Sequence, residues 1–341
     1  MHTINIWFNR WFSVAYHYMN MLRDNPDGRP VRLFGTHPDL EHMSLQACDV
    51  KEAEPEVTGE AYIEFCLDFC RRHHIHVFIP RLHLLDIARH AERFAAIGTS
   101  VMACRNIDLL ERMMHKDQFY ELAQRTGAVP VPDYEIVRDA AGFKAAYTKL
   151  QEKGHRVCIK PTLAEGGKGF RVIVDHKQPL TELYDWVNHR MTLDEAMQTL
   201  SSAEQFEPLM VMELLPGDEV SIDCVATAEG ELLTAIPRRK LPGRVYLLED
   251  KDELLAIASQ VAASCRIPYA YNIQVKYNQA TAKLLEINPR LSGGAYLSCL
   301  SGVNLPYLAV QAVLGHEVAK PSPELGIRVS YVEQPVRLRN V

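Results

Sequence analysis

The 341-residue sequence predicts a mixed α/β and α+β chain, and three observations lead there. Over roughly the first hundred residues, short apolar strands alternate with amphipathic helices, the pattern of a doubly wound parallel sheet. In the middle, a helix, a strand and a glycine-rich loop form a compact α+β segment. Beyond residue 213, alternating strands joined by tight turns read as an antiparallel sheet.

The composition is that of an ordinary globular protein, 47% hydrophobic and 23% charged. The length suits two or three packed lobes better than one core. A net charge of −6 argues against a nucleic-acid or anionic-membrane surface. No apolar run approaches the ~20 residues that span a bilayer. The opening M-H-T-I-N-I-W-F-N-R-W-F lacks the charged start, apolar stretch and cleavage site of a signal peptide. A cytoplasmic protein is expected. The eight cysteines include no C-x-x-C pair, and reduced, buried thiols are expected. The tract His73-His74-x-His76 has no carboxylate or cysteine beside it and reads as a polar helix end, not a metal site.

Taken in order, Thr3 to Phe8 is the first strand and Trp11 to Arg23 an amphipathic helix with Ser13 as its cap. Val31 to Gly35 is the second strand. Glu60 to His73 is a strong helix, Val77 to Pro80 a buried strand and Leu84 to Phe94 another helix. A parallel sheet binds ligands beyond the carboxyl ends of its strands, which points to Asn9-Arg10, Thr36-His37 and Arg81-Leu82-His83. No G-x-G-x-x-G follows the first strand, which argues against a dinucleotide site. Asn106 to Thr126 is a helical region containing Lys116, and Val129-Pro130-Val131-Pro132 an extended connector.

Phe143 to Glu152 is a helix and Arg156 to Lys160 a strand. The loop Ala164-Glu165-Gly166-Gly167-Lys168-Gly169 and the return strand Phe170 to Val174 follow. The glycines leave the backbone free to cover phosphates. Gly169 after Gly167-Lys168 excludes a Walker A loop, and alone the segment reads equally as a glycine-rich hairpin turn. Thr181 to Leu200 is expected to be one helix. The buried strand Leu209 to Met212 runs into Glu213-Leu214-Leu215-Pro216-Gly217-Asp218-Glu219. Val220 to Thr227 and Glu231 to Ile236 form an antiparallel pair that ends in Arg238-Arg239-Lys240. A basic strand end of this kind is either a solvated edge or a wall of an anion site. Asp252 to Cys265 and Asn304 to Gly315 are helices, and Ile327 to Gln334 adds an edge strand.

The most informative stretch is Ala282 to Ala295, A-K-L-L-E-I-N-P-R-L-S-G-G-A. Leu284, Glu286 and Asn288 share one face of a strand because side chains alternate. Pro289 ends it, and Arg290 and Ser292-Gly293-Gly294 follow. The preceding strand, Tyr269 to Tyr277, places Asn272, Gln274 and Lys276 on one face. A five-residue loop from Asn278 to Ala282 then sets Gln274 opposite Glu286. Hard oxygen ligands beside a fixed cation and a glycine turn suit a magnesium-bound phosphate, whereas an edge hairpin with a solvated face has the same alternation.

Gln274, Glu286, Asn288 and Arg290, with the wording E-I-N-P-R, resemble the nucleotide-metal motif of the ATP-grasp ligases. They are similar to the branch that includes the carbamoyl phosphate synthetase large subunit and biotin carboxylase. The element order agrees from Val31 onward, and the specific residues are concentrated in 160–169, 213–219 and 274–295. The glycine-rich first turn of the family is replaced here by N-R-W-F-S. The atypical first domain is similar to that of the ATP-grasp proteins of tellurium-resistance (Ter) operons.

The resemblance implies an ATP-grasp fold with a Rossmann-like pre-ATP-grasp domain over 1–105. A linker helix and lid over 106–212 and a C-terminal catalytic subdomain over 213–341 complete it. ATP contacts are implied for Lys116, Lys160, Glu165, Gly166, Gly167, Lys168, Glu213, Leu215 and Glu219. Two magnesium ions, with manganese as a substitute, fall to Gln274, Glu286 and Asn288. Catalytic charge stabilisation falls to Lys160, Arg238 and Arg290, and substrate contacts to Ser292, Gly293, Gly294 and Arg238. The implied reaction activates a small-molecule carboxylate as an acyl phosphate and joins it to an amine, in a chain without nucleic-acid or membrane partners and expected as a homodimer. A small-molecule kinase and a catalytically inactive ATP-binding regulator are the alternatives.

Overall fold

The computed structural model describes residues 2–163, 166–184, 189–333 and 335–336. The chain forms two compact units. The first draws on Met1–Met113, Glu219–Val275 and Ile287–Val341, the second on Met114–Asp218 and Lys276–Glu286.

The first unit opens with strand β1 (Ile4–Asn9), helix α1 (Ala15–Arg23), β2 (Val31–His37) and β3 (Val50–Ala53). Helix α2 (Glu60–His73), β4 (Val77–Ile79), α3 (Leu84–Arg89), α4 (Ala91–Ala95) and β5 (Ser100–Val101) follow. The strands pair in parallel in the order β3-β2-β1-β4-β5. The middle of the central strand, Ile6-Trp7-Phe8, is apolar on both faces because both are covered. Trp7 stacks on Phe69 and Phe78 at centroid separations of 4.4 and 3.9 Å. From β1 the sheet grows through β2 on one side and β4 on the other, so the β1/β4 boundary is the topological switch point. Asn9 sits there, wholly buried. Its amide donates to the Tyr62 hydroxyl (2.7 Å) and the Leu82 carbonyl (3.2 Å), and its oxygen accepts from the Arg81 N–H (2.7 Å).

Two expectations shift here. Helix α1 starts at Ala15, and its N-cap is Val14 without a side-chain bond. Ser13 is not the cap because the chain enters through tight turns, with Ala15 N–H donating to Phe12 and Tyr16 N–H to Ser13 carbonyls. The helix expected from Leu84 to Phe94 is broken in two at His90.

Helix α5 (Ile107–Met114) leads to α6 (Lys116–Thr126), the break between them being the extended His115. The second unit continues with β6 (Tyr134–Val137), α7 (Ala140–Glu152), β7 (Val157–Pro161), β8 (Arg171–Val174) and α8 (Pro179–Leu183). Strand β9 (Arg190–Thr192), α9 (Leu193–Leu200) and β10 (Leu209–Glu213) complete its sheet, ordered β6-β10-β7-β8-β9. The single helix expected over Thr181–Leu200 is instead α8, β9 and α9. Thr192 and Glu195 form a reciprocal capping box, which starts a helix at Leu193 and so forbids one from running through. Phe143, Tyr147 and Leu150 of α7 pack with Ile159 and Val211 in this unit's own core.

The remaining elements are β11 (Glu219–Ala226), β12 (Leu232–Lys240), β13 (Val245–Leu248), α10 (Asp252–Cys265), β14 (Tyr269–Asn278) and β15 (Thr281–Asn288). They are followed by α11 (Ala295–Ser298), α12 (Leu305–Val313) and β16 (Ile327–Ser330), giving a sheet ordered β15-β14-β11-β12-β13-β16. The connection between β14 and β15 is only Gln279-Ala280, not five residues. Gln279 takes a left-handed φ of 54°, which closes the turn early and leaves Asn278 and Thr281 in the strands. The edge strand ends at Ser330, and Gln334 lies outside the described residues. Helices α1 and α12 share one core: Tyr18, Met19 and Leu22 cluster with Leu305, Ala309 and Val310.

Replacing Asn9 by Ala removes the acceptor of the Arg81 N–H and the donor to the Tyr62 hydroxyl and Leu82 carbonyl. Urea unfolding is expected to show a loss of about 2–3 kcal/mol; a variant as stable as the parent would mean that the switch-point tie contributes nothing.

Candidate active site

The second unit gathers three of the residues singled out by sequence. Tyr120, buried on α6, donates its hydroxyl to the carbonyls of Leu284 (2.8 Å) and Leu285 (2.9 Å). Lys160, on β7, donates to the same Leu285 carbonyl (3.1 Å) and to the Tyr120 hydroxyl (3.3 Å). Its ammonium lies 5.3 Å from the centre of the Tyr120 ring, within cation–π range. Lys116, the first residue of α6, approaches the next residue of β15: its Nζ is 3.4 Å from Glu286 Oε2. The strand is held from behind by Leu284 N–H donating to the Pro130 carbonyl (2.8 Å). Burial, followed by the charge of Lys116, lowers the Lys160 pKa to about 8, with Glu286 pulling the other way. Two lysines thus converge on one short stretch of β15, one on its backbone and one on its carboxylate.

The segment after β10 shows a different economy of contacts. The Glu213 carboxylate is almost fully buried and ion-paired to Lys283. It also accepts from Asn278 Nδ2 (3.0 Å) and the Asp133 N–H (3.1 Å), with His155 Nδ1 at 3.3 Å. Its side chain is committed to the protein, as is its N–H, which donates to the Asp133 carbonyl (2.9 Å). Leu215 is buried, and Glu219, the first residue of β11 in the first unit, is exposed. Gly217 donates to the Tyr277 carbonyl (2.9 Å), and a Cβ there would meet that backbone at 2.8 Å, which explains the glycine. In the loop before β8, Gly166, Gly167 and Lys168 are exposed, the two glycines at φ of 63° and 75°. Glu165 lies outside the described residues.

In the first unit, Arg238, Ser292 and Gly294 come together. Arg238 is buried; its Nε donates to Ser298 Oγ (3.2 Å) and its Nη2 to Ser292 Oγ (3.2 Å) and Asp223 Oδ2 (3.4 Å). Ser298 Oγ donates to the same Asp223 oxygen (2.6 Å), and Asn272 Nδ2 to the other (2.9 Å). The Tyr18 hydroxyl donates to the Ser292 carbonyl, and burial raises its pKa. A Cβ on Gly294 would fall 2.5 Å from the Arg238 guanidinium. The serine-glycine-glycine turn is therefore held by Arg238 on its hydroxyl and by Tyr18 on its carbonyl. Gly293, at the middle of the turn, is exposed. Arg290 donates to the Leu291 carbonyl (3.2 Å), its guanidinium 5.3 Å from the Phe12 ring. Gln274 and Asn288 are partly buried on the neighbouring strands β14 and β15.

Sequence reading passed over Asp223, Ser298, Tyr18 and Tyr120. Asp223 carried a signal: an acid in the otherwise apolar strand V-S-I-D-C-V needs a buried cation. The tyrosines carried none, because their partners are backbone carbonyls far along the chain. Among the described residues, no group of three or more His, Cys, Asp or Glu side chains is arranged to hold a metal ion, and the donor set read from sequence contains one carboxylate and two amides.

Residues 205–335 match a family model described as ATP-grasp in the biosynthetic pathway with Ter operon. The large chain of carbamoyl phosphate synthase from Clostridium acetobutylicum is 23% identical over 252 residues, 68% of this chain and 21% of that one. The matched part is thus about a fifth of the relative's length. Among solved structures, an ADP complex of N5-carboxyaminoimidazole ribonucleotide synthetase superposes with a TM-score of 0.68 at 12% identity, covering 96% of this chain and 80% of that one. A biotin carboxylase–βγ-ATP complex from Campylobacter jejuni gives 0.66 at 16% identity, with 95% and 73% covered. The biotin carboxylase domain of the Hydrogenobacter thermophilus 2-oxoglutarate carboxylase, a dimer with MgADP, ADP and bicarbonate, gives 0.64 at 13%, with 92% and 70% covered. The chain has the ATP-grasp fold, and its residues 205–335 match an ATP-grasp family model.

Proposed function

We propose that this chain is an ATP-dependent ligase that activates a carboxylate as an acyl phosphate and joins it to an amine. The observation that carries this reading is the convergence of Lys116 and Lys160 on Leu285 and Glu286. Cations held at a partly exposed carboxylate suit a triphosphate with its metal. One of the similar structures holds MgADP, which supports the same reading.

Glu286 and Asn288 of β15, with Gln274 of the adjacent β14, would hold magnesium; hard oxygen donors fit it, and the Lys116 pairing gives Glu286 an exchangeable cation partner. Magnesium held there would supply neutralisation of the phosphate charge. Lys160 and Lys116 bind the phosphate oxygens, and Gly166, Gly167 and Lys168 close over them and exclude water. Glu213 and Leu215 offer backbone groups to the adenine, and Glu219 accepts from the ribose hydroxyls. A substrate carboxylate oxygen attacks the γ-phosphorus, the bond to the β-phosphate oxygen breaks and ADP leaves. Arg290 stabilises the transferring group. The amine nitrogen then attacks the acyl carbon, the carbon–oxygen bond to phosphate breaks, and inorganic phosphate leaves as the nitrogen gives up a proton. The turn at Ser292-Gly293-Gly294, held by Arg238, presents its backbone to the substrate.

The deciding assay screens carboxylic acids with and without amines for ATP-dependent phosphate release, with Lys160→Ala as the blank. Amine-dependent release supports the ligase; a phosphorylated product that survives the amine identifies a kinase, and no turnover with intact nucleotide binding identifies a regulator.

Two predictions follow from the lysines. The ammonium form of Lys160 binds phosphate, so Mg-ADP affinity falls as pH rises through about 8, and binding near that pH takes up a proton. Calorimetry in buffers of different ionisation enthalpy reads this uptake, which Lys160→Met should abolish while weakening affinity by about tenfold or more. Glu286→Gln should remove most of the dependence of ADP binding on magnesium. Equal titrations with and without magnesium in the parent would sink the role given to Glu286.

A further inference from the structure

The nucleotide reading gives roles to the lysines and to Glu286 but none to Tyr120, whose hydroxyl reaches the same stretch of β15. Tyr120 is wholly buried. Its ring meets that of Tyr134 edge-on, at a centroid separation of 5.2 Å and an angle of 83°. A phenylalanine would fill that place and keep the contact, so the oxygen needs a reason of its own. Lys116 and Tyr120 stand four positions apart on α6, which puts both on the helix face turned to β15.

A phenol has one proton to give and lone pairs to accept with. The proton is shared between the carbonyls of Leu284 (2.8 Å) and Leu285 (2.9 Å). The oxygen accepts from Lys160 Nζ (3.3 Å), which itself donates to the Leu285 carbonyl (3.1 Å). Hydroxyl, ammonium and carbonyl therefore form a closed triangle in which each group is bonded to the other two. A lysine ammonium is a point charge on a flexible four-carbon stem, and its direction is set only by its partners. Two of the three N–H bonds of Lys160 have partners among the described residues, and the third is what it can turn to a phosphate oxygen.

The backbone around this triangle is tied independently of it. Lys116 N–H donates to the Thr162 carbonyl (3.2 Å), which joins the start of α6 to the end of the strand that carries Lys160, and Leu284 N–H donates to Pro130 (2.8 Å). Loss of the hydroxyl would release the lysine and leave the elements in place.

We infer that Tyr120 is a positioning residue for phosphate binding: without touching the nucleotide, its hydroxyl holds the Lys160 ammonium against β15, its third N–H turned to a phosphate oxygen. This deepens the ligase reading and rests on its assignment of Lys160 to the nucleotide phosphates.

The test is calorimetric titration of Mg-ADP into the full chain as parent, Tyr120→Phe, Lys160→Met and the double variant, with thermal unfolding confirming that each is folded. Tyr120→Phe should weaken binding by about three- to tenfold, the worth of one hydrogen bond. In the Lys160→Met background the same substitution should weaken it less than about twofold, because the hydroxyl acts through the lysine. Tyr134→Phe, a change in the packing partner, should bind as the parent does. Tyr120→Met, whose flexible side chain fills the space without a hydroxyl, takes the place of the phenylalanine variant should that one not fold. Equal losses in the two backgrounds would make the hydroxyl a prop of the unit's stability and overturn the proposal. So would a Tyr120→Phe chain with the parent's affinity, and in both cases the parent's own Mg-ADP binding leaves the ligase reading standing. A parent that binds no Mg-ADP discards that reading and this role with it.

Discussion

The second unit's chemistry depends on how the backbone of β15 is anchored at Leu284 and Leu285. Tyr120 donates to both carbonyls and Lys160 to one of them, so a helix and a strand from elsewhere in the unit are referenced to the same two peptide groups. Backbone carbonyls are immovable partners compared with side chains, and a buried tyrosine has two torsions to lose. The result is that Lys116 and Lys160 stand in a fixed relation to Glu286 before any ligand arrives. Their mutual repulsion and the burial of Lys160 are tolerated because Glu286 and the Leu285 carbonyl offset part of the cost.

The first unit solves a similar problem with a buried polar network. Arg238 is taken out of water, which is unfavourable unless its donors are satisfied. Asp223, Ser298 and Ser292 satisfy them, and Asn272 completes the carboxylate. Because the guanidinium sits where a Cβ of residue 294 would be, the glycine and the arginine define each other. Arg238, to which the sequence reading gave charge stabilisation and substrate contact, is in this geometry the residue that holds the Ser292 turn.

Helices with a clean amphipathic period were legible from end to end: α2 and α10 span Glu60–His73 and Asp252–Cys265, as the pattern indicated. Misreadings fell where a local signal was outvoted or too short. The stretch 181–200 has helical composition, but Thr192 and Glu195 interrupt it with a start signal. Strands β3 and β5, four and two residues long, are too short to show alternation. In the site, the E-I-N-P-R strand and the lysine before the glycine loop stood out by residue type and spacing. The Arg238 network did not, because its partners lie 15, 54 and 60 positions away and each is unremarkable alone. Long-range polar closure is a property of the fold, and only a buried charge such as Asp223 hints at it in the sequence.

The segmented make-up of the first unit bears on how the chain reaches its native state. Helix α1 finishes its packing only against α12: Asn304 donates to the Met21 carbonyl and Tyr307 to Asp27, across 283 and 280 positions. Such distant pairings are slow to form because loop closure precedes the contacts that reward it. Until Leu305–Val313 is made, α1 lacks this part of its packing, whereas residues 114–218 hold most of their own core. The unit inserted later in the sequence is therefore the one equipped to fold first, and the opening segment is the one that most needs protection from aggregation on the ribosome.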